Sequence, residues 1–197
     1  AYMGLTKIEE VRALFALDRV RRAFREKFGR DYDDRDVEAR YAAFQRVICA
    51  MLANYAEPIP GVVETMERLR AQGIKVGSTT GYTRGMMDIV IPAAEKAGYW
   101  VDNCVASDEV PAGRPFPYMI YRNMIDLAVP SVDCVVKCGD TMADIKEGLN
   151  AKVWTVGVVT GSNELALTRE EAEAMPVREL DAHKHDVRRR MLAAGAH

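Results

Sequence analysis

The sequence predicts an α/β fold, a parallel β-sheet covered by helices, joined to a helical module at its amino-terminal end. Two observations support this prediction. Within 57–197, short apolar stretches alternate with amphipathic stretches of helical length, the pattern of a parallel sheet with helices on its faces. Within 1–56, apolar side chains recur only at helical spacing. The segment Glu57-Pro-Ile-Pro-Gly61 interrupts the helical pattern and marks a boundary between the two parts.

The amino-terminal module is predicted to be helical from end to end. Ile8, Leu14 and Phe15 share one face of a first helix. A second helix runs up to Gly29, a residue that commonly ends helices. A third begins at Asp33 or at the aspartate after it, because a carboxylate can cap the free N–H groups of a helix start.

The remaining elements follow in alternation. We expect strands at 74–79, 103–106, 133–137 and 153–159, and helices at 61–72, 83–97, after Pro117, 142–149, 168–174 and 177–194. Glycines at the ends of the predicted helices and prolines near their starts support these boundaries.

Composition limits the classes of partner. The chain has 197 residues, 49% of them hydrophobic and 28% charged, which is ordinary for a globular protein. A net charge of -2 and a pI of about 6.0 favour neither nucleic acid nor an anionic membrane as partner. No apolar run reaches the roughly 20 residues that span a bilayer. The four scattered cysteines are typical of free thiols in a cytoplasmic protein.

Two polar loops follow predicted strands, where open α/β sheets place their ligands. The first, Gly77-Ser-Thr-Thr-Gly-Tyr82, offers hydroxyls and backbone N–H groups at a helix start, which suit a phosphate oxygen. The second, Lys137-Cys-Gly-Asp-Thr-Met-Ala-Asp144, carries Asp140 and Asp144 four residues apart. Carboxylates suit Mg2+, although a helix N-cap followed by a first-turn carboxylate gives the same pattern. Together the loops favour phosphoryl chemistry with Mg2+.

Two basic residues stand in unusual local settings. Arg114 lies in the stiff segment Val110-Pro-Ala-Gly-Arg-Pro115, which fixes the direction of a guanidinium that can bind phosphate through two hydrogen bonds. Lys7 begins the first helix beside Met3 and Leu5. Apolar neighbours favour the neutral amine that imine formation requires, whereas most lysines at a helix start are simply solvated.

These segments resemble the haloacid dehalogenase superfamily of phosphotransferases and, within it, the phosphonatases, which cleave a phosphorus–carbon bond. The resemblance spans nearly the whole chain. The segments that carry it are Tyr2-Met-Gly-Leu-Thr-Lys-Ile8, Gly77-Ser-Thr-Thr-Gly-Tyr-Thr-Arg84, Met86-Met-Asp-Ile-Val90, Val110-Pro-Ala-Gly-Arg-Pro115, Lys137-Cys-Gly-Asp-Thr-Met-Ala-Asp144 and Trp154-Thr-Val-Gly157. The first and fourth of these are the most specific.

The resemblance implies a Rossmann-like core with a helical cap, and roles for particular residues. Lys7 on the cap would form a Schiff base with a small phosphonate substrate, and Met3 and Tyr82 would line its pocket. The family also implies a homodimer formed through the cap. We therefore expect a cap over 1–56 and an α/β core over 57–197.

The phosphoryl group would be bound by Thr80, Gly81 and Arg114, again by resemblance. Asp140 would ligate Mg2+, and Asp144 would support the loop that carries it.

The chain departs from the family pattern in the core segments that it lacks and in one residue near the imine lysine. The nucleophilic aspartate of the family lies in an Asp-x-Ala-Gly-Thr-like loop after an amino-terminal strand, and these 197 residues contain no such segment. The last core strand of the family is also expected to be absent. Glu10 occupies a position near the imine lysine where we expect histidine in the family. Two alternatives therefore stay open: a phosphatase for phosphate esters, in which Lys7 only positions the substrate, and a non-catalytic binding protein.

Overall fold

A computed structural model describes residues 5–197. Contacts divide the chain into two compact units, one ending at Glu109 and the other spanning Val110–His197. The first unit contains α1 (Lys7–Phe15), α2 (Asp18–Phe28), α3 (Asp34–Met51), a 3-10 turn (Leu52–Tyr55), α4 (Val62–Ala71), β1 (Gly77–Thr79), α5 (Arg84–Lys96) and β2 (Asn103–Val105). The second contains α6 (Tyr118–Asp126), β3 (Val136–Gly139), α7 (Met142–Ala151), β4 (Trp154–Gly157), α8 (Arg169–Ala174) and α9 (Val177–Ala193).

The amino-terminal helices form as the sequence predicts. Asp33 caps α3, accepting hydrogen bonds from the backbone N–H groups of Arg35 and Asp36. The ring of Phe15, buried at the end of α1, lies 5.1 Å from that of Tyr32. Edge-to-face contacts of this kind stabilise a cluster by more than the burial of its apolar area alone.

The sheet of the first unit pairs β1 with β2 in parallel, with Ser78 opposite Cys104. We predicted the first strand from Ile74, and the structure corrects that start to Gly77. The Ile74 N–H instead donates to the Leu69 carbonyl and so completes the carboxyl end of α4. The chain pairs with β2 only after this carbonyl at the end of α4 has a hydrogen-bond donor.

The sheet of the second unit pairs β3 with β4, also in parallel. Its first strand was predicted from residue 133 but begins at Val136, because Val132–Cys134 form a 3-10 turn. Ser131 stabilises that turn by accepting a hydrogen bond from the Asp133 N–H. Against β4, α9 approaches very closely: a Cβ added at Gly157 would lie 2.6 Å from the Met191 sulfur, so any larger residue there would displace the Met191 side chain.

The two faces of the β3–β4 sheet differ sharply. Lys137 and Thr155 point to a buried face, whereas Val136 and Trp154, which are paired across the sheet, are 57% and 55% exposed. Strand side chains alternate between faces, so the second face is an exposed apolar surface. No helix within residues 5–197 is long and apolar enough to span a membrane. The architecture confirms the predicted α/β class.

Candidate active site

Four buried charged side chains lie together in the second unit. The Lys137 ammonium is 3.0 Å from Asp144 and 2.8 Å from Glu147. The Arg114 guanidinium is 3.1 Å from the same oxygen of Asp144 and 3.4 Å from Glu147. Each of the four side chains is at most 9% exposed. Two cations facing two carboxylates supply the opposite-charge pairing that buried charges require.

Local structure explains how this cluster forms. Asp144 is the third residue of α7. Its carboxylate accepts hydrogen bonds from the Thr141 hydroxyl, at 2.6 Å, and from the Thr141 backbone N–H, at 3.2 Å, and the second of these belongs to a capping box. A Cβ at Gly139 would lie 2.2 Å from the Asp144 Cβ, so a glycine at the end of β3 makes room for the carboxylate. Glu147 follows Asp144 by three residues and therefore lies on the same helix face.

Electrostatics keep Asp144 ionised. Burial opposes its charge, but the ammonium of Lys137, the guanidinium of Arg114 and the Thr141 hydrogen bond together hold the pKa of Asp144 below its ordinary value. Asp144 is therefore a negatively charged side chain held in place by two cations and a hydroxyl.

Asp140 precedes this cluster and has a different environment. Its side chain is half-buried, and one oxygen, Oδ2, accepts hydrogen bonds from both the backbone N–H and the side-chain amide of Asn163. Among the described residues no hydrogen bond reaches the other oxygen, Oδ1. The alternative interpretation of Asp140 as the helix N-cap is wrong, because Thr141 fills that position. A half-buried carboxylate with one free oxygen suits a hard cation.

The donor set in this chain fits part of a Mg2+ site. Carboxylate oxygen is the ligand type that Mg2+ prefers, and this ion keeps several waters and binds through one or two carboxylates. Within residues 5–197, no group of three His, Cys, Asp or Glu side chains converges on a common point. Asp140 is the acidic side chain of this loop that has the oxygen chemistry to bind such an ion.

The loop after β1 is internally braced. The Thr80 N–H donates to the Val105 carbonyl, 3.3 Å away, and the Thr80 hydroxyl oxygen accepts from the Tyr82 N–H at 3.1 Å. Ser107 donates its hydroxyl to the Gly81 carbonyl. The sequence predicts that backbone N–H groups of this loop bind a phosphate oxygen, but the structure commits those of Thr80 and Tyr82 to partners within the protein. The Thr80 hydroxyl hydrogen, which these bonds leave uncommitted, can still donate to a phosphate oxygen.

Lys7 occupies a largely buried position at the start of α1. Its ammonium lies 2.7 Å from a carboxylate oxygen of Glu10, with the two side chains only 13% and 15% exposed. The Lys7 nitrogen also lies 5.4 Å from the centre of the Tyr82 ring. Burial, together with the charge of Glu10, raises the pKa of Tyr82, so the phenol stays neutral. Met3, the other predicted pocket residue, lies outside the described residues.

The chain is similar to a set of known hydrolases. Residues 3–152 match a family model described as haloacid dehalogenase-like hydrolase. A phosphonoacetaldehyde hydrolase of Parabacteroides distasonis is 58% identical over 99% of this chain and 74% of its own length. One from Bacteroides fragilis is 53% identical over 98% of this chain and 74% of its own length.

The chain belongs to the phosphonoacetaldehyde hydrolase family. A solved structure from Oleispira antarctica, of a phosphonoacetaldehyde hydrolase-like protein, shares 36% identity and superposes with a TM-score of 0.95, over 99% of this chain and 71% of its own. The family therefore has the haloacid dehalogenase-like fold, as the resemblance predicted.

Three residues of the site escaped the sequence interpretation. Glu147 had a detectable signal, since it shares a helix face with Asp144. Lys137 also had a detectable signal, because a lysine inside an apolar strand must find a buried partner. Asn163 carried no local signal: it lies 23 residues from Asp140, and only the tertiary fold joins them.

Proposed function

We propose that this protein hydrolyses the phosphorus–carbon bond of phosphonoacetaldehyde to give acetaldehyde and phosphate. The observation that carries the proposal is the largely buried Lys7, whose amine lies 2.7 Å from the Glu10 carboxylate. The names of the most similar relatives support the same reaction. Imine formation by a lysine is the chemistry that separates a phosphonatase from an ordinary phosphatase.

The difficulty of the reaction is its leaving group. Direct cleavage of the P–C bond would release a carbanion on the carbon next to an aldehyde. If the Lys7 amine adds to the aldehyde and water departs, the product is an iminium ion. As the phosphoryl group leaves, the electron pair of the P–C bond forms a C=C bond and the π pair of the C=N bond moves onto the Lys7 nitrogen, which gives a neutral enamine. Protonation of the enamine carbon and hydrolysis of the imine release acetaldehyde and regenerate the lysine.

Glu10 and Tyr82 are the polar groups nearest this step. The Glu10 carboxylate is within hydrogen-bond reach of the Lys7 amine, so it can accept the proton that the amine must lose before it attacks the carbonyl. The neutral phenol of Tyr82 lies beside the same nitrogen and helps to exclude water from it.

In this proposal the phosphoryl group is bound by Arg114, Thr80 and Gly81. Transfer of this group needs positive charge and hydrogen-bond donors around its oxygens. Asp140 would hold Mg2+ and Asp144 would support the loop beneath it; when bound, Mg2+ neutralises charge on the phosphoryl oxygens. By family resemblance the phosphoryl acceptor is an aspartate that is not among these 197 residues, and water then hydrolyses the resulting aspartyl phosphate.

The proposal is tested by substrate choice in the protein expressed from its complete reading frame. We expect acetaldehyde, measured through a coupled alcohol dehydrogenase, and phosphate, measured by 31P NMR, to be released in equal amounts from phosphonoacetaldehyde. p-Nitrophenyl phosphate should be turned over at least about 100-fold more slowly, a difference of roughly 2.7 kcal/mol in transition-state binding. Faster hydrolysis of the ester would instead identify a phosphate-ester phosphatase.

We also propose that the protein forms a homodimer through the helical module. On α3, Phe44, Val47 and Met51 form an exposed apolar row at helical spacing, and Leu14 on α1 is half exposed. A second copy with the same row would cover it, as the resemblance to cap-mediated dimers implies. Val47→Glu should convert a dimer into a monomer in analytical ultracentrifugation, whereas Glu26→Gln on α2 should not; an unchanged dimer would locate the interface elsewhere.

A cytoplasmic location completes the proposal. All four cysteines are free: Cys49 and Cys104 are half-buried, and Cys134 and Cys138 are exposed. Free thiols are typical of a reducing compartment.

A further inference from the structure

The loop that follows β4 reaches the Asp140 turn of the second unit. Within it, Asn163 donates two hydrogen bonds to Oδ2 of Asp140, from its backbone nitrogen at 2.9 Å and from its side-chain nitrogen at 2.7 Å. The two donors hold one carboxylate oxygen in place and so fix the rotation of the carboxylate. The other oxygen, Oδ1, then faces away from the bonded side.

The Asn163 loop is itself anchored by its neighbours. Glu164 accepts a hydrogen bond from the Met142 N–H, at the first residue of α7. The Arg190 guanidinium on α9 binds both the carboxylate of Glu164, at 2.7 Å, and its backbone carbonyl, at 3.0 Å. Leu165 packs into a buried cluster with Val187 and Met191. Asn163 therefore sits on a loop whose position the surrounding fold determines.

We propose that Asn163 is a positioning residue for the metal ion, which orients Asp140 so that Oδ1 alone is presented to Mg2+. Mg2+ demands nearly ideal octahedral geometry at about 2.0–2.1 Å, so a freely rotating carboxylate would lose orientational entropy on binding. Partners that orient a metal-binding carboxylate typically account for about 10–100-fold in metal affinity. The inference rests on the proposed function only in taking Asp140 as a metal ligand.

The two hydrogen bonds can be removed one at a time. Asn163→Ala deletes the side-chain donor and keeps the backbone N–H. Asn163→Pro deletes both, and its ring suits this position. Asn163 is the first residue of a 3-10 turn, and Ser162 before it is already extended, at φ -76° and ψ 152°. Because Asn163 is exposed, truncating it leaves no buried cavity.

The experiment measures Mg2+ affinity by isothermal titration, in the protein expressed from its complete reading frame. We expect the Kd to rise about 10-fold in Asn163→Ala and about 100-fold in Asn163→Pro. Asn54→Ala, the same change at another exposed asparagine, should leave the Kd unchanged. The melting temperature without Mg2+ should stay within a few degrees of the parent, while the rise that Mg2+ produces becomes smaller.

Asp140→Asn separates the two possible failures. If Asp140→Asn abolishes binding but both Asn163 variants stay within twofold of the parent, Asn163 does not position the ligand and this inference is wrong. If Asp140→Asn binds Mg2+ as the parent does, the metal assignment of the proposed function fails as well. Should Asn163→Pro not fold, the Kd of Asn163→Ala decides alone.

Discussion

The buried charge cluster makes a strong prediction about stability, which Glu147→Gln tests without changing the shape of the side chain. Glu147 is completely buried and lies 2.8 Å from Lys137 and 3.4 Å from Arg114. Its neutralisation leaves two buried cations facing the single carboxylate of Asp144. Removing one partner from a buried ion pair typically costs about 3–5 kcal/mol, because a charge is left buried without compensation.

For a chain of this size, 1 kcal/mol corresponds to a shift of about 2–4 °C in melting temperature. We therefore expect Glu147→Gln to melt roughly 10 °C below the parent, and to unfold at lower urea by Trp fluorescence. Glu173→Gln is the matched control, since its pair with Arg169 is 65–75% exposed and exposed pairs contribute little. A loss below about 0.5 kcal/mol in Glu147→Gln, within the range of ordinary surface substitutions, would refute the reasoning.

A second variant tests the cause of the loss. Lys137→Met combined with Glu147→Leu removes one cation and one anion together and leaves the Arg114–Asp144 pair neutral. Apolar replacement of a whole buried pair is often nearly neutral. The double variant should therefore be more stable than Glu147→Gln, and an equal or greater loss would point to packing rather than charge.

Three further predictions concern the remaining residues. Asp140→Ala should abolish Mg2+-dependent turnover with little loss of stability, because Thr141 and not Asp140 caps α7; unchanged Mg2+ affinity and turnover would contradict the assignment. The lowered pKa of Asp144 contributes stability that is present above its ordinary pKa of 3.8 and is lost as pH falls through the lowered value. The difference in free energy of unfolding between the parent and Asp144→Asn should therefore narrow below about pH 3.8. A difference that does not change with pH would be inconsistent with this. Residues 1–197 alone should be inactive and aggregation-prone, because they hold no phosphoryl acceptor and expose the Val136–Trp154 face. A chimera completed with the corresponding segments of the Parabacteroides distasonis relative should regain both activity and solubility. Robust turnover by residues 1–197 would show that the nucleophile has been misidentified.

Helices were predictable because their signals are local. Gly29 ends α2 and Asp33 begins α3, as the sequence predicts. Helix capping and a left-handed backbone conformation depend mainly on the residue itself. Strand boundaries were less predictable. The start of β1 depends on whether Ile74 closes the preceding helix or joins the sheet, which is a competition between two backbone partners.

The site divides in the same way. Asp140, Asp144 and Arg114 were recognisable from their loops, and the structure brings the last two together. The pairing of Lys137 with Glu147 and that of Asn163 with Asp140 depend on tertiary packing, and hence on contacts that no short segment encodes. The residues that orient a site are harder to predict than those that carry its chemistry, because their role exists only once the fold has formed.

The central claim is that Lys7 forms an imine with the substrate, and borohydride trapping tests it most directly. The protein expressed from its complete reading frame would be treated with phosphonoacetaldehyde and sodium borohydride, digested and mapped by mass spectrometry. We predict a reduced adduct on Lys7, with loss of both the adduct and turnover in Lys7→Arg. Labelling at another lysine, or turnover that survives in Lys7→Arg, would contradict the account.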